Sequence, residues 1–110
     1  IYIGRFQPFH NGHKTLFINA LKKNNQVAIL VMDSFKVNKK NPFTFREVKK
    51  RITTALSEYR RKFIIIKIPV VSEVIYGRKV GYKIRKIVVS KKIEKISATK
   101  IRKKIFKNIK

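Results

Sequence analysis

A chain of 110 residues has room for one domain with a packed core, and is short for an enzyme that must enclose two substrates. Hydrophobic residues make up 44% of it, which excludes a disordered polyelectrolyte despite a formal charge of +24, and the lack of cysteine excludes disulfides and thiolate metal sites. No apolar run reaches the length of a membrane span or of a signal-peptide core, so no membrane partner is expected and the cytoplasm is the expected compartment.

The charge says less about partners than its size suggests. Lysines fall in every segment instead of along one stripe, as an A/T-rich coding sequence would produce, and no aromatic stacking platforms interleave with them. Nucleic acid is therefore not an expected partner, although an anionic small molecule would still be steered by the field.

In chain order, Ile1, Tyr2 and Ile3 form a short β-prone run that meets Gly4, and a loop carrying Arg5 and Gln7 leads to His10-Asn11-Gly12-His13. Helical periodicity begins there and runs over residues 12–22, with His13, Phe17 and Leu21 at one spacing. Two imidazoles and an arginine thus gather where a strand hands over to a helix. At such a place backbone N–H groups and the helix dipole favour a bound phosphate. Asn24-Asn25 marks a turn, and the run QVAILVM over 26–32 suits a strand buried on both faces. A right-handed crossover makes the first two strands parallel.

Residues 35–41 read as a polar loop, and Thr44-Phe45-Arg46-Glu47 as a capping box. The helix it opens places Val48, Ile52, Ala55, Leu56 and Tyr59 on its inner side and is expected to end near Glu58 or Tyr59. FIIIKI over 63–68 is a third buried strand, stopped by Pro69. Short strands are expected at 74–76 and 87–89, around a glycine-bearing loop. Last comes a helix capped by Ser97, with Ile101, Ile105 and Ile109 as its apolar stripe and Thr99 and Arg102 in its first turns. The alternation predicts an α/β fold, a Rossmann-like three-layer sandwich with a mainly parallel sheet of about five strands. All of residues 1–110 form the one domain, and the opening on Ile1 fits a piece of a longer protein.

Three readings of His10 and His13 stand side by side: donors to phosphate oxygens, a metal pair, or ordinary surface histidines. The metal reading lacks further ligands, since the chain has five carboxylates and only Asp33 is well placed, so no protein metal site is assigned. Ser97, Thr99 and Arg102 read either as a capped, polar helix start or as a second anion site. A triphosphate is long enough to engage two such helix ends.

The stretch from Gly4 to His13, GRFQPFHNGH, resembles the HxGH signature of the nucleotidylyltransferase superfamily, in the form found in archaeal-type nicotinamide-mononucleotide adenylyltransferases. Asn41-Pro42-Phe43-Thr44 with Glu47 is similar to their NPFTxxE segment, and residues 96–102 to their ISGTxIR motif, with Ala98 in place of the glycine. The YGRxVGY stretch at 76–82 resembles short cytidylyltransferase-like domains, some of them fused to an adenylylsulfate kinase.

The resemblance implies transfer of a nucleotidyl group, AMP from ATP, to a phosphorylated small-molecule acceptor such as nicotinamide mononucleotide, with release of pyrophosphate. The alternative it allows is a cytidylyltransferase-like or catalytically weak nucleotide-binding module of a larger enzyme. It further implies that His10, His13 and Arg102 are catalytic and that Gly4, Arg5, Phe6, Gly12, Lys14, Ser97 and Thr99 bind the nucleotide. Mg²⁺ is expected to bridge phosphate oxygens. An oligomer is compatible with all of this.

Overall fold

The computed structural model describes residues 1–33, 37–75, 77 and 84. Three strands, β1 (Tyr2–Gly4), β2 (Val27–Met32) and β3 (Phe63–Ile68), form a parallel sheet in the order β1-β2-β3. Helix α1 (Asn11–Leu21) connects the first pair and α2 (Phe45–Ala55) the second. The register pairs Tyr2 with Ile29 and Ile29 with Ile65, so β2 is bonded on both sides.

Side-chain alternation sorts the sheet into two faces. Val27, Ile29 and Val31, with Tyr2, Phe63 and Ile65 beside them, share one core cluster with Phe17 of α1 and with Val48 and Ile52 of α2. Both helices therefore lie on the same face, as two right-handed crossovers made in one direction require. Ile64 and Ile66 point to the opposite face and are 60% and 40% exposed, so β3 is not the buried strand expected from its apolar run: among the described residues the helices cover only the other face. The described residues thus supply the sheet and one helical layer of the expected sandwich, and three of its strands.

Local chemistry sets the element boundaries. Thr44 and Glu47 form the expected capping box on α2: the Thr44 hydroxyl accepts from the Glu47 N–H at 3.2 Å, and the Glu47 carboxylate accepts from the Thr44 N–H at 3.3 Å. The α-helix ends at Ala55, earlier than the apolar spacing suggests, and a 3₁₀ turn (Ser57–Tyr59) carries the chain on. Leu56 at that junction is fully buried, while the Tyr59 ring meets Phe17 edge to face. The inner-face pattern therefore continues through a change of helix type. Val74 and Ile75 are exposed and outside any strand, unlike the short strand expected there, and Tyr76 lies outside the described residues. Neither residue pairs with the described sheet, so its β propensity finds no ladder. The expected strand at 87–89 and the helix from Ser97 also lie outside the described residues.

At the end of β1 the backbone folds tightly over itself. The Phe6 ring is 2% exposed and lies over Gly4, so a Cβ on Gly4 would sit 2.8 Å from a ring atom. Phe6 reaches this position with φ at 53°, in the left-handed region that non-glycine residues seldom occupy. Its ring also meets Tyr2 and His13 edge to face, at 5.2 Å and 5.0 Å between centroids. Gly4→Ala is expected to cost about 1–3 kcal/mol by overpacking a ring that cannot retreat. Urea denaturation reads this directly, and an unchanged midpoint would contradict the packing at β1.

Candidate functional site

The loop from Arg5 to Phe9 leads from β1 to His10, the N-cap of α1. Phe6, Gln7, Pro8 and Phe9 are all buried, which leaves Arg5 exposed at the strand end and the two histidines at the loop's exit. His10 Nδ1 accepts the N–H of Gly12 at 3.0 Å, and His13 Nδ1 accepts the N–H of His10 at 3.1 Å. The pair is a reciprocal cap, in the geometry usually made by a Ser or Thr with a Glu three residues on. The rings stack with centroids 3.8 Å apart and planes at 22°, and Phe9 also stacks on His13 at 5.5 Å.

This arrangement decides the chemistry of both imidazoles. A ring whose Nδ1 accepts a hydrogen bond carries its proton on Nε2 when neutral. Both histidines are held in that form: burial lowers the pKa of His10, and burial together with the neighbouring His10 lowers that of His13 to about 4. No described residue takes either Nε2–H. Two neutral N–H donors therefore stand at the N-terminus of an eleven-residue helix, beyond the carboxyl end of a parallel strand.

The other expected site residues divide into those the structure brings here and those it does not describe. Gly12 is buried in the first turn, and its N–H is spent on the His10 ring. Lys14 is half-buried one residue beyond His13. Gly4 admits the Phe6 ring, which packs in the core. Ser97, Thr99 and Arg102 lie outside the described residues. Among the described residues no group of three or more His, Cys, Asp or Glu is placed to hold a metal ion, and no helix is long and apolar enough to cross a membrane. A cleft of about 470 Å³ lies between the loop and α2, lined by Phe6, Pro8, Phe43, Val48 and Arg51 among others, and neither histidine opens into it.

Sequence reasoning missed the histidine cap because histidine is seldom an N-cap. The spacing of three residues, the same as in Thr44 to Glu47, was the signal that could have found it. It also missed Gln7. This side chain is 5% exposed and makes two hydrogen bonds to the backbone of Phe43, accepting from its N–H at 2.9 Å and donating to its carbonyl at 3.0 Å.

With this geometry in place, comparison with known proteins is decisive for the family. A family model for cytidylyltransferase-like proteins matches residues 1–71, which include β1, α1, β2, α2 and β3. The chain belongs to the cytidylyltransferase-like family. It is similar to the nicotinamide-nucleotide adenylyltransferase of Methanocorpusculum labreanum, 38% identical over 68 residues that cover 60% of this chain and 40% of that protein. The enzyme of the same name from Picrophilus torridus is 42% identical over 57 residues, covering 51% and 34%. Among solved structures, the fold is similar to a bifunctional NMN adenylyltransferase/ADP ribose pyrophosphatase from Francisella tularensis, complexed with AMP and a Mn ion. That likeness has a TM-score of 0.52 at 33% identity and covers 63% of this chain and 22% of that one. The match thus spans 40% or less of the curated relatives' length.

The cap of this cytidylyltransferase-like domain makes its stability depend on pH with a definite sign. His13 binds a proton less readily folded than unfolded, so protonation favours the unfolded chain. Its contribution is intact above the ordinary histidine value of 6.5 and is lost progressively as pH falls toward about 4. Denaturation midpoints measured across that window should fall with pH in the native chain and fall less in His13→Gln, whose side-chain oxygen accepts from the His10 N–H without titrating. Equal slopes in the two proteins would contradict the cap.

Proposed function

We propose that this domain is a nucleotidylyltransferase that takes AMP from ATP and joins it to a phosphorylated acceptor, nicotinamide mononucleotide, releasing pyrophosphate, in the cytoplasm. The observation that carries this is the pair of neutral Nε2–H donors fixed at the N-terminus of α1. The names of the relatives support the choice of substrates.

The reaction suits what the residues supply. An oxygen of the acceptor's phosphate attacks the α-phosphorus of ATP in line, a new P–O bond forms, and the bond from the α-phosphorus to the bridging β-oxygen breaks. Negative charge grows on the non-bridging and leaving oxygens. In this reading His10 and His13 donate to those oxygens, and neutral donors need no proton change to do so. The α1 helix dipole adds to this, and Lys14 and Arg5 contribute positive charge nearby.

By motif, Ser97, Thr99 and Arg102 hold the β- and γ-phosphates, Arg102 through charge-assisted bonds. A divalent cation, Mg²⁺ in this proposal, would supply charge neutralisation on the triphosphate. A site poor in carboxylates is compatible with it, because Mg²⁺ in phosphoryl-transfer sites is commonly held by substrate phosphates and water with few protein ligands. The Mn ion complexed with the Francisella tularensis protein is in keeping with use of a divalent metal.

Capping and donation can be separated by substitution. His10→Asn keeps a side-chain acceptor for the first turn but deletes the Nε2–H, whereas His10→Ala deletes both. With ATP, nicotinamide mononucleotide and Mg²⁺, both variants should lose about 10²–10³-fold in pyrophosphate release, the usual effect of removing one donor from a developing oxyanion. Only the alanine variant should also lose thermal stability. No pyrophosphate from the native chain with this acceptor or a panel of other phosphorylated acceptors, and no thermal stabilisation by ATP, would overturn the proposal.

A further inference from the structure

We propose that Gln7 is a positioning residue for the histidine pair: its buried carboxamide bonds the β1–α1 loop to the segment that opens α2, and so fixes where His10 and His13 stand. The inference rests on the phosphate-binding role given to the pair above, and extends it to a residue that touches no phosphate.

The loop needs such a tie. Residues 5–9 lie between β1 and α1 and belong to neither, so no ladder or helix bonds hold their backbone. Ring packing of Phe6 and Phe9 anchors them, but apolar contact is non-directional and does not fix rotation of a loop to the accuracy that in-line chemistry demands. Gln7 supplies direction. Its amide oxygen and nitrogen bond the N–H and carbonyl of one residue, Phe43, as a neighbouring strand would. Pairs of this kind are directional because both partners are planar, and here the carboxamide that makes both bonds is buried.

The segment it grips is itself held. Asn38 Oδ1 accepts from the N–H groups of Lys40 and Asn41, both at 2.9 Å, and the Asn38 N–H donates to the Asn41 carbonyl at 3.0 Å. Asn41 is 8% exposed, and Thr44 three residues later caps α2. The Phe43 ring carries the Arg51 guanidinium 5.9 Å above it. From Asn38 to α2 the backbone is thus bonded at almost every step, and Gln7 ties the histidine loop to it across 36 positions of sequence. The N-terminus of α1 is thereby indexed to the N-terminus of α2.

Two variants of similar size test this in the full chain. Gln7→Met keeps the volume and removes both bonds, while Gln7→Glu can still accept from the Phe43 N–H but cannot donate to its carbonyl. Without nucleotide, hydrogen exchange at the His10 and Gly12 amides, the two donors to the histidine rings, should quicken about tenfold or more in Gln7→Met, while amides of β2 stay protected. With ATP as the probe, the apparent Kd should rise about tenfold, and less in Gln7→Glu, in line with one or two lost bonds.

Exchange that quickens equally at β2, or cap amides as protected as in the native chain, would overturn the role of Gln7. If the native chain does not bind ATP, the proposed function fails, and the exchange measurement still decides the role of Gln7.

Discussion

Helix α1 begins with backbone N–H groups that need acceptors, and two imidazole rings provide them. That single requirement determines much of the rest. Because each Nδ1 is occupied, each ring is a neutral Nε2–H donor, and because the rings stack at 3.8 Å, protonating either one is opposed by both burial and the loss of an acceptor. The same two bonds that start the helix therefore set the protonation state of its functional groups. Helix start and proposed phosphate site are one structure, and they cannot be altered independently except by a side chain that caps without donating.

Everything around the pair serves to hold it against the sheet. The close approach of Phe6 to Gly4 seats the loop on β1, and the His13 ring packs on the edge of Phe6 and the face of Phe9. A non-glycine residue at φ 53° is a local cost of about 1–2 kcal/mol, accepted because the buried ring fills the space that Gly4 leaves open. The hydrogen-bonded tie through Gln7 then adds the orientation that ring packing lacks. Burial holds the loop in place, and hydrogen bonds aim it.

Most of the scaffold was legible in the sequence because it follows from periodicity. QVAILVM and FIIIKI read as parallel strands and are, and the Thr44–Glu47 capping box is where the spacing put it, but an apolar run does not say whether both faces are covered, and β3 exposes Ile64 and Ile66. The switch to a 3₁₀ turn after Ala55 was hidden, because both helix types bury a residue at this spacing. Val74 and Ile75 mislead for another reason: strand propensity needs a partner, and propensity says nothing about whether one is near. At the site, His10 and His13 were picked out but their role as a cap was not. That the Phe6 ring joins the core was not legible, and neither was the role of Gln7, because a carboxamide's partners are set by tertiary structure alone.

The central claim is that the fold fixes both histidines as neutral Nε2–H donors for a phosphate. Long-range ¹H–¹⁵N spectra of the imidazoles at pH 7, recorded before and after adding ATP, measure it most directly. Both rings should have a bare Nδ1 and a protonated Nε2 in the free protein, and both Nε2 signals should move when ATP binds. A proton on Nδ1 of either ring, or Nε2 signals that stay put at saturating ATP, would contradict it.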